Sequence, residues 1–223
     1  MLLWVLLAAS YAAALLNTST WGLAGLLVAW IPVVFAFVHL FRWVGWRTGL
    51  LVFAVIAVVS FAYEAVGVAT GLVFGDYYYP DGPLGPLLLG VPPLIQLQYF
   101  AMGYACLMMS RAVGGALWSA ARGWMLVAVS AMGAFGMTIL DLASDPMQST
   151  VLGDWIWRDG GAYFGVPLHN FAGWFVCTGT FFLIVNGILL RPAPLARVEQ
   201  RRDPAFYLQG ILLFGTFPFA IIM

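Results

Sequence analysis

The sequence contains no lysine, and all nine of its basic residues are arginine. A retinal protein is excluded, because a retinal Schiff base needs a lysine amine. The sequence has only two histidines, which argues against a histidine-rich di-iron site. It also lacks the glycine-rich nucleotide motifs and the haem-attachment motif. We therefore expect a chemistry that needs no redox cofactor, no nucleotide and no metal.

Charge is scarce, at 8% of residues, whereas 63% are hydrophobic and the mean hydropathy is +0.97. Soluble domains have about 25% charged and 45–50% apolar residues. The composition therefore predicts an integral membrane protein with lipids as its neighbours. No polar stretch is long enough to fold separately, so we expect one transmembrane domain, 1–223. The zero net charge argues against a nucleic-acid partner.

Apolar runs of about the length that spans a bilayer, ~20 residues, recur along the chain. They lie at about 2–16, 22–41, 49–70, 91–110, 123–143, 166–190 and 205–223. This pattern predicts an all-α, polytopic membrane protein with about seven transmembrane helices. We number the predicted helices 1 to 7 in this order.

The arginines predict the orientation of these helices. Eight of the nine lie in alternate connections, at positions 42, 47, 111, 122, 191, 197, 201 and 202. The positive-inside rule assigns such connections to the cytoplasm. We therefore expect a multi-pass protein of the cell membrane, with a cytoplasmic N-terminus and an outer C-terminus.

One pattern occurs twice, as GDYYYPDGPLGPLLLGVP at 75–92 and as GDWIWRDGGAYFGVP at 153–167. Each copy reads Gly-Asp-aromatic-x-aromatic-x-Asp-Gly, a spacer, and Gly-Val-Pro before an apolar run. The copies predict a parallel internal repeat, in which helices 3–4 (about 49–110) and helices 5–6 (about 123–190) form equivalent hairpins. Both repeated loops then lie on the outer face.

Several polar residues fall at a similar depth in the outer half of the predicted bundle: Glu64, Asp141, Asp145, His169 and Asn170. An ionisable group at membrane depth is costly and indicates function by default, and a carboxyl there can act as a general acid. Asp145 shares a helix face with Asp141 only if the helix continues, which Pro146 disfavours. We interpret the loop acids Asp76, Asp81, Asp154 and Asp159 as turn or cap residues.

Aromatic residues cluster at the same level, and we expect them to line a substrate site. They are Tyr77, Tyr78, Tyr79, Trp155, Trp157, Tyr163, Phe164 and Trp174. Some suit an interfacial aromatic belt, but aromatic faces beside acids also stabilise cations. Gly67 and Gly71 lie on the face of Glu64 and leave room for close packing or a flat substrate.

At these residues the chain resembles the integral-membrane carotenoid 1,2-hydratases of the CruF type, also described as carotenoid biosynthesis proteins. The matching stretches are EAVGVATGLVFGDYYY (64–79), LLGVPPLIQLQY (88–99), DLASDP (141–146) and WIWRDGGAYFGVPLHNFAGW (155–174). Tyr99 stands where this family has a tryptophan, and we interpret it as a packing residue. The resemblance implies water addition to the terminal C1=C2 bond of an acyclic end group in a lycopene-like or γ-carotene-like carotenoid.

In the mechanism that we expect, Asp141 or Glu64 protonates C2, and aromatic faces hold the resulting C1 cation. A second carboxylate, with Asn170 or His169, then directs water to C1, and Asp145 is either that carboxylate or an influence on its neighbour. Two alternatives remain open. One is a cofactor-free carotenoid or isoprenoid cyclase or isomerase, in which the same cation loses a proton. The other is a small lipid or proton-coupled transporter.

Overall fold

The computed structural model describes residues 1–16, 23–82, 84–118, 123–190 and 204–222. Its α-helices, numbered in chain order, are α1 (Leu2–Leu16), α2 (Leu23–Val44), α3 (Trp46–Thr70), α4 (Ile95–Trp118), α5 (Gly123–Asp145), α6 (Leu168–Ile184) and α7 (Pro204–Ile222). Wider π-helical turns continue α5 over Pro146–Leu152 and α6 over Val185–Leu189. The predicted mostly helical fold is therefore confirmed.

Within the described ranges, three continuous helical segments are long and apolar enough to cross a membrane: Trp46–Thr70, Gly123–Leu152 and Leu168–Leu189. Shorter apolar stretches cover Leu2–Leu15, Ala29–Val44 and Pro204–Phe217. These lengths and compositions are those of a membrane protein. The full count of seven spans stays a prediction.

The central helices form a four-helix group. Both α3 and α5 pack against α4 and α6, which places α3 and α5 at opposite corners. Outside this group, α1 packs against α2 and α7, and α7 also packs against α4. Side chains from opposite corners can therefore meet between the four helices.

Two helix boundaries differ from the sequence expectation. The helix α4 begins at Ile95 rather than near 91, because Pro92 and Pro93 lack an N–H and restrict the residues before them. The helix α5 continues to Asp145, so Pro146 does not end it early. Pro146 instead begins the π-helical turn. Asp141 and Asp145 consequently share one helix face.

The two repeated loops pair with each other as a short antiparallel ribbon. Strand β1 (Tyr77–Tyr78) pairs with β2 (Ile156–Trp157), with Tyr78 opposite Ile156. When Gly75 is aligned with Gly153, these two residues occupy the same position of the repeated pattern. Because equivalent positions face each other, the ribbon has a local two-fold relation.

The Gly-Val-Pro parts form the same tight turn in both copies. Hydrogen-bonded turns join Leu88 to Val91 and Tyr163 to Val166. Their central residues all have positive φ: Leu89 at 52°, Gly90 at 80°, Phe164 at 50° and Gly165 at 89°. Positive φ at both central positions defines a type I′ turn, which favours glycine. The motif thus reverses the chain immediately before α4 and α6.

Large side chains fill the four-helix group below the level of the ribbon. Phe100 and Tyr104 of α4 and Phe181 and Phe182 of α6 are all fully buried. Stacking and tilted ring contacts join Phe100 to Tyr104 and Phe181 to Phe182. The interior beneath the outer loops is therefore closely packed.

Candidate active site

Glu64 of α3 accepts hydrogen bonds from three tyrosines. Tyr77 and Tyr79 donate to Oε2, the second at 3.0 Å, and Tyr99 of α4 donates to Oε1 at 2.6 Å. The carboxyl is only 4% exposed. Burial, reinforced by the adjacent Glu64, raises the pKa of Tyr77 and of Tyr79. These phenols therefore remain protonated and keep donating to the carboxylate.

Gly67 allows this arrangement, because it follows Glu64 by one helical turn. A Cβ atom at position 67 would lie 2.9 Å from Cδ2 of Phe74 and 3.2 Å from the Tyr77 hydroxyl. The sequence left open whether this glycine serves packing or a flat substrate. The space is taken by Phe74 and Tyr77, so Gly67 serves close packing.

Asp141 and Asp145 share one hydrogen-bond donor. The Nδ2 atom of Asn170 lies 2.7 Å from Oδ2 of Asp141 and 2.8 Å from Oδ2 of Asp145. Asn170 is 1% exposed and lies in the first turn of α6, where its backbone N–H donates to the Pro167 oxygen at 3.0 Å. Since a carboxylate only accepts, the amide NH₂ group must face the pair. Asn170 therefore holds the two carboxyls together.

The two carboxyls differ in their remaining contacts. Oδ1 of Asp145 accepts from Trp155 Nε1 at 3.0 Å and from Trp157 Nε1 at 3.3 Å. An indole N–H can only donate, so both oxygens of Asp145 act as acceptors. Within the described part of the chain, Oδ1 of Asp141 has no hydrogen-bond partner. Asp141 thus has an oxygen free to carry a proton toward a substrate.

The repeated aromatic residues of each copy of the motif supply hydrogen-bond donors to an acid. Tyr77 and Tyr79 align with Trp155 and Trp157, and each pair donates to the acid of its own copy. Alternate residues of an extended segment point to the same side, so the aromatic-x-aromatic spacing directs both donors to one acid. The repeated motif therefore builds two acid centres of similar design.

Tyr99 and Trp174 join these two centres. When Gly90 is aligned with Gly165, they occupy equivalent positions of α4 and α6. Their rings stack with centroids 4.7 Å apart and planes 7° apart. The stack joins α4 to α6, the other two helices of the four-helix group. Both residues line the cavity described next.

A single cavity of about 740 Å³ connects the two centres. Nine residues expected from the sequence line it: Glu64, Tyr77, Tyr79, Asp141, Asp145, Trp155, Trp157, Asn170 and Trp174. Its volume is within the usual range of small-molecule sites, about 300–1,000 Å³. The sequence prediction thus names residues from five separate segments that meet around one space.

Four expected residues lie elsewhere, and one of them, Phe164, is 73% exposed. His169 is exposed and is not among the residues that line the cavity. Tyr78 is 38% exposed and lies under the Arg158 guanidinium, 4.8 Å from its ring centroid. Tyr163 packs edge-on against Phe164 and Phe171. The structure therefore does not bring these residues together with the nine that line the cavity, and their roles stay predictions.

Two cavity residues had been given other roles. Tyr99 was interpreted as a packing residue, but its hydroxyl is what contacts Glu64. Asp154 was interpreted as a turn residue, yet it lines the cavity, and burial raises its pKa. By contrast, the loop acid Asp76 lies outside the cavity lining and forms an exposed ion pair with Arg158, with Oδ1 and Nε 3.2 Å apart. The sequence held one signal for the role of Tyr99: a tyrosine, with a hydroxyl that can bind a buried acid, replaces the tryptophan of the family.

No three His, Cys, Asp or Glu side chains are grouped suitably for a metal ion among the described residues. What the geometry offers is three buried carboxyls, donors that hold them, and aromatic faces around an apolar space. This arrangement can transfer a proton and accommodate a cation. It defines a helical protein of membrane character whose acids converge on one cavity.

The carotenoid biosynthesis protein family model matches residues 22–223, and the chain belongs to this family. The resemblance drawn from the sequence is thereby confirmed. A similar protein is the bisanhydrobacterioruberin hydratase of Haloarcula japonica, 29% identical over 194 residues. The alignment covers 86% of this chain and 61% of that relative, so the chain spans about three-fifths of the relative's length. No solved structure matches the chain.

Proposed function

We propose that this protein is a carotenoid hydratase, which adds water to the terminal C1=C2 bond of an acyclic end group and forms a tertiary alcohol. The observation that carries the proposal is the Asn170-bridged pair beside an aromatic cavity, in which one oxygen of Asp141 has no hydrogen-bond partner among the described residues. Family membership and the hydratase activity named for the Haloarcula relative support it. The substrate is a lycopene-like or γ-carotene-like carotenoid, and the reaction needs no redox cofactor.

Asp141 is the general acid in this proposal. Two carboxylates that share one donor repel each other, so the pair is most stable when one of the two carboxyls carries a proton. Asp145 uses both oxygens as acceptors, whereas Oδ1 of Asp141 has no hydrogen-bond partner in the described part of the chain. The proton therefore resides on Asp141 and is delivered to C2 of the end group. A positioned general acid contributes typically ~10²–10⁴-fold in rate.

Aromatic faces stabilise the tertiary cation that forms at C1. The stacked Tyr99 and Trp174 lie in the cavity wall, with Trp155 and Trp157 nearby. A cation over such faces gains about 0.5–2 kcal/mol or more when water is excluded. Since the indole N–H groups of Trp155 and Trp157 bind Asp145, their rings are held in place before the substrate arrives.

Glu64 is the carboxylate that directs water to C1. It lies on α3, at the corner opposite the α5 helix that carries Asp141. Water oxygen bonds to C1 while one of its protons passes to Glu64. Glu64 then returns that proton to Asp141 through water, which restores both groups. The net change is one water added to the double bond, with no electron transfer.

We also propose that the chain crosses the cell membrane seven times, with both repeated loops on the outer face. Arg42 and Arg47 near the α2–α3 junction support this orientation. Arg111 adds less support than expected, because it is buried inside α4 and binds Asn186 Oδ1 at 3.1 Å. The arginines at 122, 191, 197, 201 and 202 lie outside the described residues.

Expression in a lycopene-producing host, with pigment analysis by mass, tests the proposed function. A pigment that has gained one water per hydrated end supports hydration. An isomer of unchanged mass indicates that the cation loses a proton, as in a cyclase or isomerase. Unchanged pigment with altered membrane permeability indicates transport.

A further inference from the structure

The cavity has a side that faces away from the acids. There it is lined by Ala29 and Trp30 of α2, Leu94 immediately before α4, Gln98 of α4, and Phe217 of α7. We call these five residues the side mouth. Trp30 is 37% exposed and Leu94 is 48% exposed, so the cavity wall reaches the outer surface of the helices at this place.

The route straight down the four-helix group is closed. Met102 is the deepest residue of α4 that lines the cavity, and the fully buried Phe100 and Tyr104 pack beside and below it. Phe181 and Phe182 close the space from α6. A rigid polyene that reached the acids from within this group would have to displace several of these rings.

A carotenoid that spans the hydrocarbon core is about 30 Å long. The cavity at the acids holds the end group, so the remainder of the chain must leave through one of its walls. Given the proposed hydratase function, we propose that the side mouth is the binding site for the conjugated polyene tail, which passes between α2, α4 and α7 into the lipid.

A hydrogen bond at the side mouth joins two of its edges. Nε2 of Gln98 donates to the backbone oxygen of Ala29 at 3.0 Å and ties α4 to α2. Pro32, which also lines the cavity, has no N–H, so the turn of α2 before it lacks one backbone hydrogen bond. The bond from Gln98 supports this weakened turn and fixes the distance between the two helices.

This site has a consequence for specificity. The enzyme recognises only the end group and the first part of the polyene, and the distal end lies in lipid. A carotenoid with one acyclic end is therefore a substrate even if its distal end is bulky. For the same reason, the two ends of lycopene react in separate binding events.

Filling the side mouth tests this inference. Ala29→Trp and Leu94→Trp add bulk there, and Val58→Trp, at a position 68% exposed on α3, is the matched control. Two probes are used with each purified protein: lycopene, and a sesquiterpene hydrocarbon with the same isopropylidene end. Bound lycopene is also measured by its visible absorption, independently of turnover.

We expect the mouth variants to lose lycopene binding and turnover about tenfold or more, which corresponds to ~1.4 kcal/mol, and to hydrate the short probe normally. Wild-type behaviour with lycopene overturns the inference, and so does an equal loss with both probes while Val58→Trp stays active. If the wild-type protein binds lycopene but hydrates neither probe, the proposed function fails, and the binding data alone decide on the side mouth.

Discussion

Replacing Asp141 with asparagine removes proton donation by this side chain and keeps its structural contacts. The new amide oxygen can still accept from Asn170 Nδ2, as Oδ2 of Asp141 does at 2.7 Å. The new NH₂ group takes the place of Oδ1, which has no hydrogen-bond partner among the described residues, and Asp141 lines the cavity. The size of the side chain and its link to Asn170 are kept, and the carboxylic proton is lost. We therefore expect normal membrane insertion.

The hydration rate of Asp141→Asn should fall at least ~10²-fold, the usual contribution of a positioned general acid. The assay is single-turnover conversion of lycopene in membranes, followed by chromatography and mass analysis. Asp76→Asn is the control, because Asp76 is half exposed and its ion pair with Arg158 contributes little. Wild-type hydration by Asp141→Asn would refute the assignment of the acid.

Three further predictions address the other parts of the site. Glu64→Gln should lose ~10²-fold in hydration and release an isomerised alkene by proton loss from the cation, seen by product analysis; full hydration would remove Glu64 from the mechanism. Tyr99→Phe leaves Oε1 of Glu64 without its donor and should lower the unfolding free energy by about 1–3 kcal/mol, measured in detergent; an unchanged stability would contradict this hydrogen bond. Single cysteines at Asp81 and Asp159 should both react with an impermeant label from outside intact cells; labelling from opposite sides contradicts the orientation.

The helices could be predicted from the sequence, because hydrophobic length acts locally, and the cost of buried charge indicated which acids form a site. Glu64, Asp141 and Asn170 were predicted from their depth alone, and all three line one cavity. Their hydrogen bonds were not predictable. They depend on how α3, α5 and α6 are packed, which no single segment determines.

Other residues show where local patterns mislead. Pro146 indicated a helix end, but a π-helical turn accommodates the proline and keeps Asp145 beside Asp141. His169 and Asn170 are adjacent in the sequence, and the helix turns one outward and the other inward. The role of Tyr99 depends on the Glu64 side chain of another helix, so its hydroxyl looked incidental.

The sequence also did not predict that the two repeated loops pair with each other. The repeat indicated equivalent hairpins, but the antiparallel register that places Tyr78 opposite Ile156 is a tertiary feature. Through this ribbon, each copy supplies aromatic donors to one acid and shares one cavity with the other copy.

The central claim is that water adds to a carotenoid double bond at this cavity, and isotope labelling of the purified protein tests it most directly. The protein is placed in lipid vesicles with lycopene, in water enriched in heavy oxygen and deuterium. We predict a tertiary alcohol with one heavy oxygen at C1 and one deuterium at C2 for each hydrated end, and no such product with Asp141→Asn. A product that lacks the heavy oxygen, or pigment of unchanged mass from the wild-type protein, would contradict the account.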